Sequence, residues 1–340
     1  MSATAEPKLG RTGKRVAMPT VANYWHPIGL SEDVTERPRQ FELLSEKICA
    51  FRTESGVSAF KDVCIHRGTA LSLGWVTDGH ITCAYHGWQY DGTGACVKIP
   101  SLPDGSTIPR KARAVAYRVE ERYGLVWVAL AQPVAPIPAF PQSEWDDPTF
   151  RGFLSATYVW RSSAGRSVEN FMDVSHFPFV HENLLGTRDQ TVVGEIDVVE
   201  TNDGLYYFYE QEEPNELYSG ADQVTRWEYH LYTPFTIHLT KTIPNGEVTV
   251  LTLVSAPTTP KLTTMYFFIT RNHRLGEADS TFKDFSDTIM DQDRVIVESQ
   301  RPEEIPTDLK EELHLKVPDA SGIAYRRVLG RIDQIGAFMP

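Results

Sequence analysis

Two short pairs of metal-binding residue types constrain the fold of this 340-residue chain more than any other feature of its sequence. Cys64 and His66 form the first pair, and Cys83 and His86 form the second pair after sixteen intervening residues. Each pair places one thiolate beside one imidazole, which suits a [2Fe–2S] cluster with two cysteines on one iron and two histidines on the other. A Cys₂His₂ zinc site is the alternative, but its common pattern groups cysteine with cysteine and histidine with histidine. The mixed pairs therefore favour the cluster.

The residues around the two pairs are typical of a small all-β domain. Short apolar runs alternate there with turn signals, at Asp78-Gly79, Asp91-Gly92-Thr93-Gly94 and Pro103-Asp104-Gly105. Gly68 and Gly87 follow the two pairs, and glycine lets a backbone come close to a cluster. We predict that residues 21–131 form this domain, after a flexible tail at residues 1–20.

A proline-rich segment separates this region from the rest of the chain. Four prolines lie between residues 132 and 141, namely Pro133, Pro136, Pro138 and Pro141. Neither a central strand nor a helix interior tolerates them, so we predict a linker there. Residues 142–340 then form a second domain, with strand-like alternation at residues 205–270 and helix-like segments near residues 167–176, 280–300 and 323–332. This pattern predicts an α+β domain, in which helices pack against one antiparallel sheet.

Composition excludes several classes of partner. The net charge of −12 argues against a nucleic-acid partner, because phosphate binding needs a basic face. No apolar run is long enough to cross a bilayer, and the first twenty residues lack the apolar stretch of a signal peptide. With only four cysteines, of which Cys49 and Cys96 have no partner at metal spacing, a disulfide framework is not expected. We therefore expect a cytoplasmic protein with no membrane or nucleic-acid partner.

The segment from Asn170 to His181 places polar groups among apolar neighbours. Asn170, Asp173, His176 and His181 are costly to bury unless something compensates them. Two neutral imidazoles and a carboxylate can hold an iron ion; a helix end with two surface histidines is the alternative. On one continuous helix, His176 and His181 would point about 140° apart. Pro178 interrupts the helix between them, so His181 can turn back toward His176.

A third ligand for such an iron site is expected on the long helix near residues 280–300. Helical periodicity places Phe282, Phe285, Ile289, Ile296 and Gln300 on one stripe, with Asp293 at its edge. The other acidic residues, Asp284, Asp287, Asp291 and Glu298, fall on roughly the opposite face. Asp293 is therefore predicted to point inward, and Asp291 is its main rival.

Together these motifs resemble a known family. Cys64-Ile-His66-Arg67-Gly68 and Cys83-Ala84-Tyr85-His86-Gly87-Trp88 are similar to the Rieske box, although Ile65 and Ala84 stand where proline is usual. A Rieske box followed by Asn170-x₂-Asp173-x₂-His176-x₄-His181 resembles the oxygenase component of Rieske non-haem iron oxygenases. The chain length and the Asn-x₂-Asp spacing are similar to the monooxygenase branch. That branch includes vanillate and dicamba O-demethylases, toluenesulfonate methyl hydroxylase, caffeine N-demethylases and saxitoxin-pathway hydroxylases.

The resemblance implies the roles of the site residues. A [2Fe–2S] Rieske cluster would be bound by Cys64, His66, Cys83 and His86, and a mononuclear Fe(II) by His176, His181 and Asp293. The second domain would be helix-grip-like, and the chain would form a head-to-tail homotrimer. Asp173 would link its own His176 to His86 of the partner subunit, and Asn170 would support this centre.

The resemblance also implies the reaction. An oxygenase component would use O₂ to hydroxylate a C–H bond of a small aromatic or heterocyclic substrate, including O- or N-demethylation. A ring cis-dihydroxylating dioxygenase is the alternative, and a Rieske electron-transfer protein without oxygen chemistry is a remote one. The sequence has no glycine-rich fingerprint for a nicotinamide or flavin. Electrons from NAD(P)H would therefore come through a separate reductase, with or without a ferredoxin. It would dock on the basic residues Arg67, Lys98, Arg110 and Lys111, unless these form an ordinary solvated surface.

Overall fold

The computed structural model describes residues 20–212 and 224–332. Apart from Thr20, the predicted tail lies outside the described residues, as do residues 333–340 at the end of the second predicted domain. None of the described helices is long and apolar enough to cross a membrane.

Ten short strands in the first part of the chain form three small antiparallel sheets, ordered β1-β10-β9, β2-β3-β4 and β5-β6-β7-β8. Their bounds are β1 His26–Leu30, β2 Arg39–Leu43, β3 Glu46–Thr53, β4 Gly56–Lys61, β5 Trp75–Thr77, β6 His80–Thr82, β7 Gln89–Tyr90, β8 Cys96–Lys98, β9 Arg118–Arg122 and β10 Leu125–Ala129. The predicted turn at Asp78-Gly79 joins β5 to β6, and both residues have positive φ as a two-residue hairpin requires. The predicted all-β architecture of this part is confirmed.

Seven strands in the second part form one antiparallel sheet, ordered β11-β17-β16-β15-β14-β13-β12. The strands are β11 Arg151–Trp160, β12 Val199–Glu200, β13 Gly204–Glu212, β14 Val224–Tyr232, β15 Thr236–Thr242, β16 Val248–Thr259 and β17 Leu262–Arg271. The helices are α1 Gln142–Trp145, α2 Ala164–Met172, α3 Phe177–Val180, α4 Asp279–Val297 and α5 Ala320–Leu329. Helices α2 and α4 pack on the sheet and on each other, and α5 packs on α2 and β13. This arrangement confirms the predicted α+β domain.

The helix predicted near residues 167–176 begins and ends earlier than expected, at Ala164 and Met172. Ser163 begins α2 by accepting the backbone N–H of Arg166, and the helix ends at Met172. Asp173 has an extended backbone (φ −81°, ψ 141°), and its carboxylate accepts the backbone N–H of His176 at 3.0 Å. The break before α3 therefore lies at Asp173, ahead of the proline that the sequence suggested. An aspartate that binds the backbone three residues later competes with the helix in this way.

The buried face of α4 differs from the predicted stripe. Its buried residues are Phe282, Ser286, Met290, Asp293 and Val297, whereas Ile296 is 47% exposed. The predicted stripe was based on apolar residues alone, so it did not identify a buried face that contains the polar residues Ser286 and Asp293. Asp293 consequently lies within the buried face of the helix and not at its edge.

The proline-rich segment at residues 132–141 contains neither helix nor strand, and it packs against the second part of the chain. Ile137 and Phe140 are buried, and the carbonyl of Ala139 accepts a hydrogen bond from His238. A second connection forms where the backbone N–H groups of Leu44 and Ser45 donate to residues 257 and 258, each at 2.8 Å. The domain boundaries themselves stay a prediction.

Candidate metal centres

The two Cys-His loops of the first part have the same backbone geometry. Cys64 follows β4, and its backbone carbonyl accepts the N–H of Gly68 at 2.9 Å; Cys83 follows β6, and its backbone carbonyl accepts the N–H of Gly87 at 3.0 Å. Both glycines have positive φ, +75° and +70°, which few other residues adopt at low cost. Both thiols are buried, with 2% and 1% of the residue exposed. The loops thus direct two sulfur atoms into the core of the domain.

The histidines of these loops face the opposite way. His66 and His86 are exposed, and their ring centroids lie 4.5 Å apart. The ring of His66 also stacks on Trp88, with centroids 4.5 Å apart and planes inclined by 8°. The two thiols therefore lie inside the domain, and the two imidazoles lie at its surface, where another protein can contact them.

The spacing of the four side chains distinguishes a cluster from a zinc ion. Ligands at 2.0–2.3 Å from one tetrahedral zinc lie about 3.3–3.8 Å from one another. Within the described ranges, the only group with three or more candidate ligand atoms inside 4.8 Å is the one formed by His176, His181 and Asp293. The Cys-His pairs do not form such a group among the described residues. Their buried thiols and exposed imidazoles fit a binuclear cluster with sulfur on one iron and nitrogen on the other.

Tyr90 contacts one of the two cysteine thiols, which the sequence did not indicate. Its side chain is fully buried, and its hydroxyl lies 3.1 Å from the Sγ of Cys64. Burial, followed by the neighbouring thiols, raises the pKa of Tyr90, so the hydroxyl keeps its proton. A thiolate at Cys64 can only accept, so the tyrosine donates. No spacing signal connects residues 26 positions apart.

Three elements bring the second set of residues together. His176 precedes α3, His181 ends it, and Asp293 lies on α4. Asp293 Oδ1 is 3.0 Å from His181 Nε2 and 3.4 Å from His176 Nε2. His181 is fully buried and Asp293 is 6% exposed. Asp291, the rival candidate, has a side chain that is 74% exposed and pairs with Arg294.

Hydrogen bonds orient both imidazoles toward the shared centre. His176 Nδ1 lies 2.7 Å from Asp173 Oδ2, and His181 Nδ1 lies 2.7 Å from Gln292 Oε1. Both partners are acceptors, so each Nδ1 carries the proton and each Nε2 presents a lone pair. Both Nε2 atoms are buried and have no hydrogen-bond partner in the described part of the chain. Two neutral imidazoles and one carboxylate with these orientations fit a ferrous ion.

Asp173 and Asn170 support this group from α2. Burial raises the pKa of Asp173, but hydrogen bonds from the His176 ring and from backbone N–H groups outweigh it, and the pKa lies below its ordinary value. The Asp173 side chain remains 32% exposed. Asn170 donates from Nδ2 to Asp293 Oδ1 at 3.3 Å. The structure therefore brings together all five residues predicted for the second centre.

A small cavity of about 60 Å³ lies beside this centre, between the sheet and the helices. Its walls are mostly apolar and include Phe171, Phe177, Leu239, Leu251, Phe267 and Phe285. His176, His181 and Asp293 belong to the same lining, so the triad faces an apolar space.

The other buried histidine, cysteine and surface basic residues lie outside these two centres. His238 is buried but does not line this cavity; its ring nitrogens bind Thr252 Oγ1 at 2.7 Å and the carbonyl of Ala139 at 3.1 Å. Cys49 and Cys96 are buried free cysteines. The candidate docking residues, Arg67, Lys98, Arg110 and Lys111, are all exposed.

Gln292 and Lys241 were missed by sequence reasoning. Gln292 precedes Asp293, but only the packed structure shows that it contacts His181, 111 residues away. Lys241 lines the cavity and is 1% exposed. The alternation Ile237, Leu239, Lys241 on β15 was the available signal, because it places a lysine on the apolar face of a strand.

Comparison with protein families covers both parts of the chain. Residues 24–115 match the Rieske [2Fe-2S] domain, and residues 160–333 match the vanillate O-demethylase oxygenase C-terminal domain. The second match includes half of the chain.

Comparison with individual proteins gives relatives of similar length. Methylxanthine N1-demethylase NdmA of Pseudomonas putida is 31% identical over 325 residues, which cover 92% of this chain and 89% of the relative. Methylxanthine N3-demethylase NdmB of the same organism is 30% identical, covering 84% of this chain and 83% of the relative. The solved structure of Pseudomonas putida NdmA with caffeine superposes with a TM-score of 0.83 at 29% identity, covering 94% of each chain. Dicamba monooxygenase bound to dicamba shares the fold, with a TM-score of 0.78 at 22% identity over 95% of this chain and 100% of that one.

Proposed function

Because the chain belongs to the Rieske non-haem iron oxygenases of the demethylase branch, we propose that it removes a methyl group from a small aromatic or heterocyclic substrate. The protein is an oxidoreductase of the monooxygenase type. N-demethylases match 92% and 84% of the chain, so ring cis-dihydroxylation is not favoured. An electron-transfer protein would not need the buried group of His176, His181 and Asp293.

One observation supports this proposal most strongly. The Nε2 atoms of His176 and His181, both buried and without a hydrogen-bond partner among the described residues, meet the Asp293 carboxylate beside an apolar cavity. We assign Cys64, His66, Cys83 and His86 to the cluster, and His176, His181 and Asp293 to a mononuclear iron. When bound, the cluster supplies single electrons and the ferrous ion supplies the reductive activation of O₂.

The chain's own residues prepare the site for this chemistry. Asp173 and Gln292 hold protons on the two Nδ1 atoms and so keep both Nε2 lone pairs available. Asn170 fixes the Asp293 carboxylate by donating to Oδ1. The apolar walls exclude water from the reacting methyl group and position it against the triad.

Electron entry is assigned to a second copy of the chain. The cluster histidines are exposed and Asp173 is partly exposed. In a head-to-tail homotrimer, Asp173 would accept hydrogen bonds from its own His176 and from His86 of the partner subunit. A separate reductase, with or without a ferredoxin, would bring electrons from NAD(P)H to the cluster. The trimer and the cytoplasmic location belong to this proposal.

The reaction balances as follows. One O₂, two electrons and two protons convert the methyl group to a hydroxymethyl group and release one water. The bond between the hydroxymethyl carbon and its oxygen or nitrogen then breaks, which releases formaldehyde and leaves a hydroxyl or an N–H group.

The test is turnover of the reconstituted holoenzyme with NADH and a surrogate reductase. A panel of N-methyl and O-methyl aromatic compounds should include substrates that give one formaldehyde for each substrate-dependent O₂ consumed. Formation of a cis-diol, or O₂ uptake that no panel member stimulates, would contradict the proposal.

A further inference from the structure

The last carbonyl group of α2 is bound by side chains from outside the helix. Met172, the final residue of α2, is fully buried. In a continuous helix its carbonyl would accept the backbone N–H of His176, four positions later. That N–H donates instead to the Asp173 carboxylate, at 3.0 Å. The Met172 carbonyl therefore needs another donor, because buried backbone acceptors are rarely left unpaired.

Two hydroxyl groups take the place of the missing backbone donor. Tyr207 on β13 donates to the Met172 carbonyl at 2.5 Å, and Ser321 on α5 donates to the same oxygen at 3.3 Å. Tyr207 is 1% exposed and Ser321 is 5% exposed. Burial raises the pKa of Tyr207, although a hydrogen bond with Ser321 opposes the shift, so the phenol keeps its proton and can donate. The Met172 carbonyl is thus satisfied without the N–H of His176.

This exchange of donors leaves Asp173 with two hydrogen bonds to His176. Its Oδ2 atom accepts the backbone N–H of His176 and lies 2.7 Å from Nδ1 of the same residue. Asp173 makes both contacts with an extended backbone, φ −81° and ψ 141°. If the Met172 carbonyl took back the N–H of His176, the helix would continue through Asp173, and the carboxylate would lose that donor. The hydroxyl of Tyr207 therefore affects the triad through the backbone.

Ion pairs fix α5, which carries one of the two hydroxyls, against α2. Arg326 on α5 donates to both carboxylate oxygens of Glu169 on α2, at 2.6 and 2.8 Å. The Arg326 side chain is 2% exposed and that of Glu169 is 17% exposed. Glu312 accepts from the same guanidinium at 2.6 Å. Bidentate pairs of this kind have a fixed geometry, so the Ser321 hydroxyl is held at the end of α2.

Resting on the proposed roles of Asp173 and His176, we propose that Tyr207 is a positioning residue for the iron ligand and for the electron path. Its hydroxyl ends α2 at Met172 and so releases the backbone N–H of His176, which orients the Asp173 carboxylate. Ser321 contributes less, because its contact is longer. Tyr207 is not among the residues that line the cavity, so it acts through this break in the helix and not on the substrate.

The test is Tyr207→Phe in the holoenzyme, with Tyr325→Phe as the matched control. Tyr325 is also fully buried, and its hydroxyl donates to the carbonyl of Pro234 at 3.0 Å, so each variant loses one buried hydrogen bond from a tyrosine to the backbone. Tyr207→Phe should lower the iron affinity roughly tenfold in chelator competition. It should slow oxidation of the reduced cluster in single turnover by a similar factor, with an unchanged cluster spectrum. Ser321→Ala should give smaller changes in the same direction, and Tyr325→Phe should change neither quantity.

Crystal structures of the two tyrosine variants measure the backbone itself. In Tyr207→Phe the N–H of His176 should return to the Met172 carbonyl, and ψ of Asp173 should leave the extended region; Tyr325→Phe should keep both. If Asp173 stays extended in Tyr207→Phe, and iron affinity and electron transfer match those of Tyr325→Phe, the positioning role is wrong. If the backbone and the iron affinity change but electron transfer does not, the positioning of His176 stands and the proposed electron path through Asp173 fails.

Discussion

The two candidate metal centres are held in place in different ways. In the cluster loops each cysteine lies within three residues of its histidine, and the backbone shapes both loops through Gly68 and Gly87. The triad instead combines α3 and α4, and neighbouring side chains, Asp173 and Gln292, orient its imidazoles. The cluster centre is therefore a local structure with an open edge, whereas the triad depends on tertiary packing. Perturbations of packing should affect the second centre far more than the first.

Acid should lower the free energy of unfolding, because two histidines are buried in the packed core. His26 and His238 are fully buried; desolvation lowers their pKa values to about 4 and about 3, although hydrogen bonds to backbone carbonyls oppose the shift. An unfolded histidine takes up a proton below about pH 6.5, so the unfolded state binds more protons and stability falls as the pH decreases. The two residues together should cost about 4 kcal/mol of unfolding free energy between pH 8 and pH 5.

Urea unfolding followed by tryptophan fluorescence at several pH values measures this loss. His238→Gln should flatten the pH dependence, while His230→Gln, at a side chain that is 35% exposed, should not. An unfolding free energy that stays constant from pH 8 to pH 5 would rule out this role of the buried imidazoles.

Asp173→Asn should separate the two centres functionally. The amide retains the side-chain shape but loses the charge that holds two histidines, so both metals should load while electron transfer between them falls roughly 100-fold. Stopped-flow oxidation of the reduced cluster in single turnover measures the effect. Asp284→Asn, at an exposed position of α4, is the control. Equal rates in the wild-type enzyme and Asp173→Asn would refute the bridging role.

Gln292→Leu should affect only the triad. Without the acceptor on His181 Nδ1, the ring loses its fixed tautomer, and iron affinity should fall by about 10–100-fold. Gln292→Glu keeps an acceptor and should retain the iron. Chelator competition, followed by metal analysis, measures the affinity, and the visible spectrum of the cluster reports the first centre. Loss of the cluster spectrum in Gln292→Leu would show that the two centres are not independent.

Tyr90→Phe should give the smallest effect, confined to the cluster. The hydroxyl donates to a cluster sulfur, which stabilises the reduced form more than the oxidised form. Losing about 1 kcal/mol of hydrogen bonding corresponds to roughly 40 mV for one electron, so the midpoint potential should decrease by that amount. Tyr85→Phe, at a 60% exposed residue, is the control. An unchanged potential in Tyr90→Phe would exclude this contribution.

The same contrast explains what the sequence could predict. The Cys-His pairs and the main strands are local patterns, and the predicted architecture around them is confirmed. Helical periodicity was enough to single out Asp293. It did not predict that Ile296 is exposed, because the packing of α4 against its neighbours determines which residues of the helix are buried. The contact of Gln292 with His181 joins residues 111 positions apart, so it required the tertiary structure.

The most direct test of two centres in one chain is the iron content of Asp293→Ala, compared with Asp291→Ala two positions away. The wild-type enzyme and Asp291→Ala should each hold roughly three irons per chain, two in the cluster and one at the triad. Asp293→Ala should hold roughly two, with an unchanged cluster spectrum and no formaldehyde production. Three irons and full formaldehyde production in Asp293→Ala would contradict the assignment of the second centre.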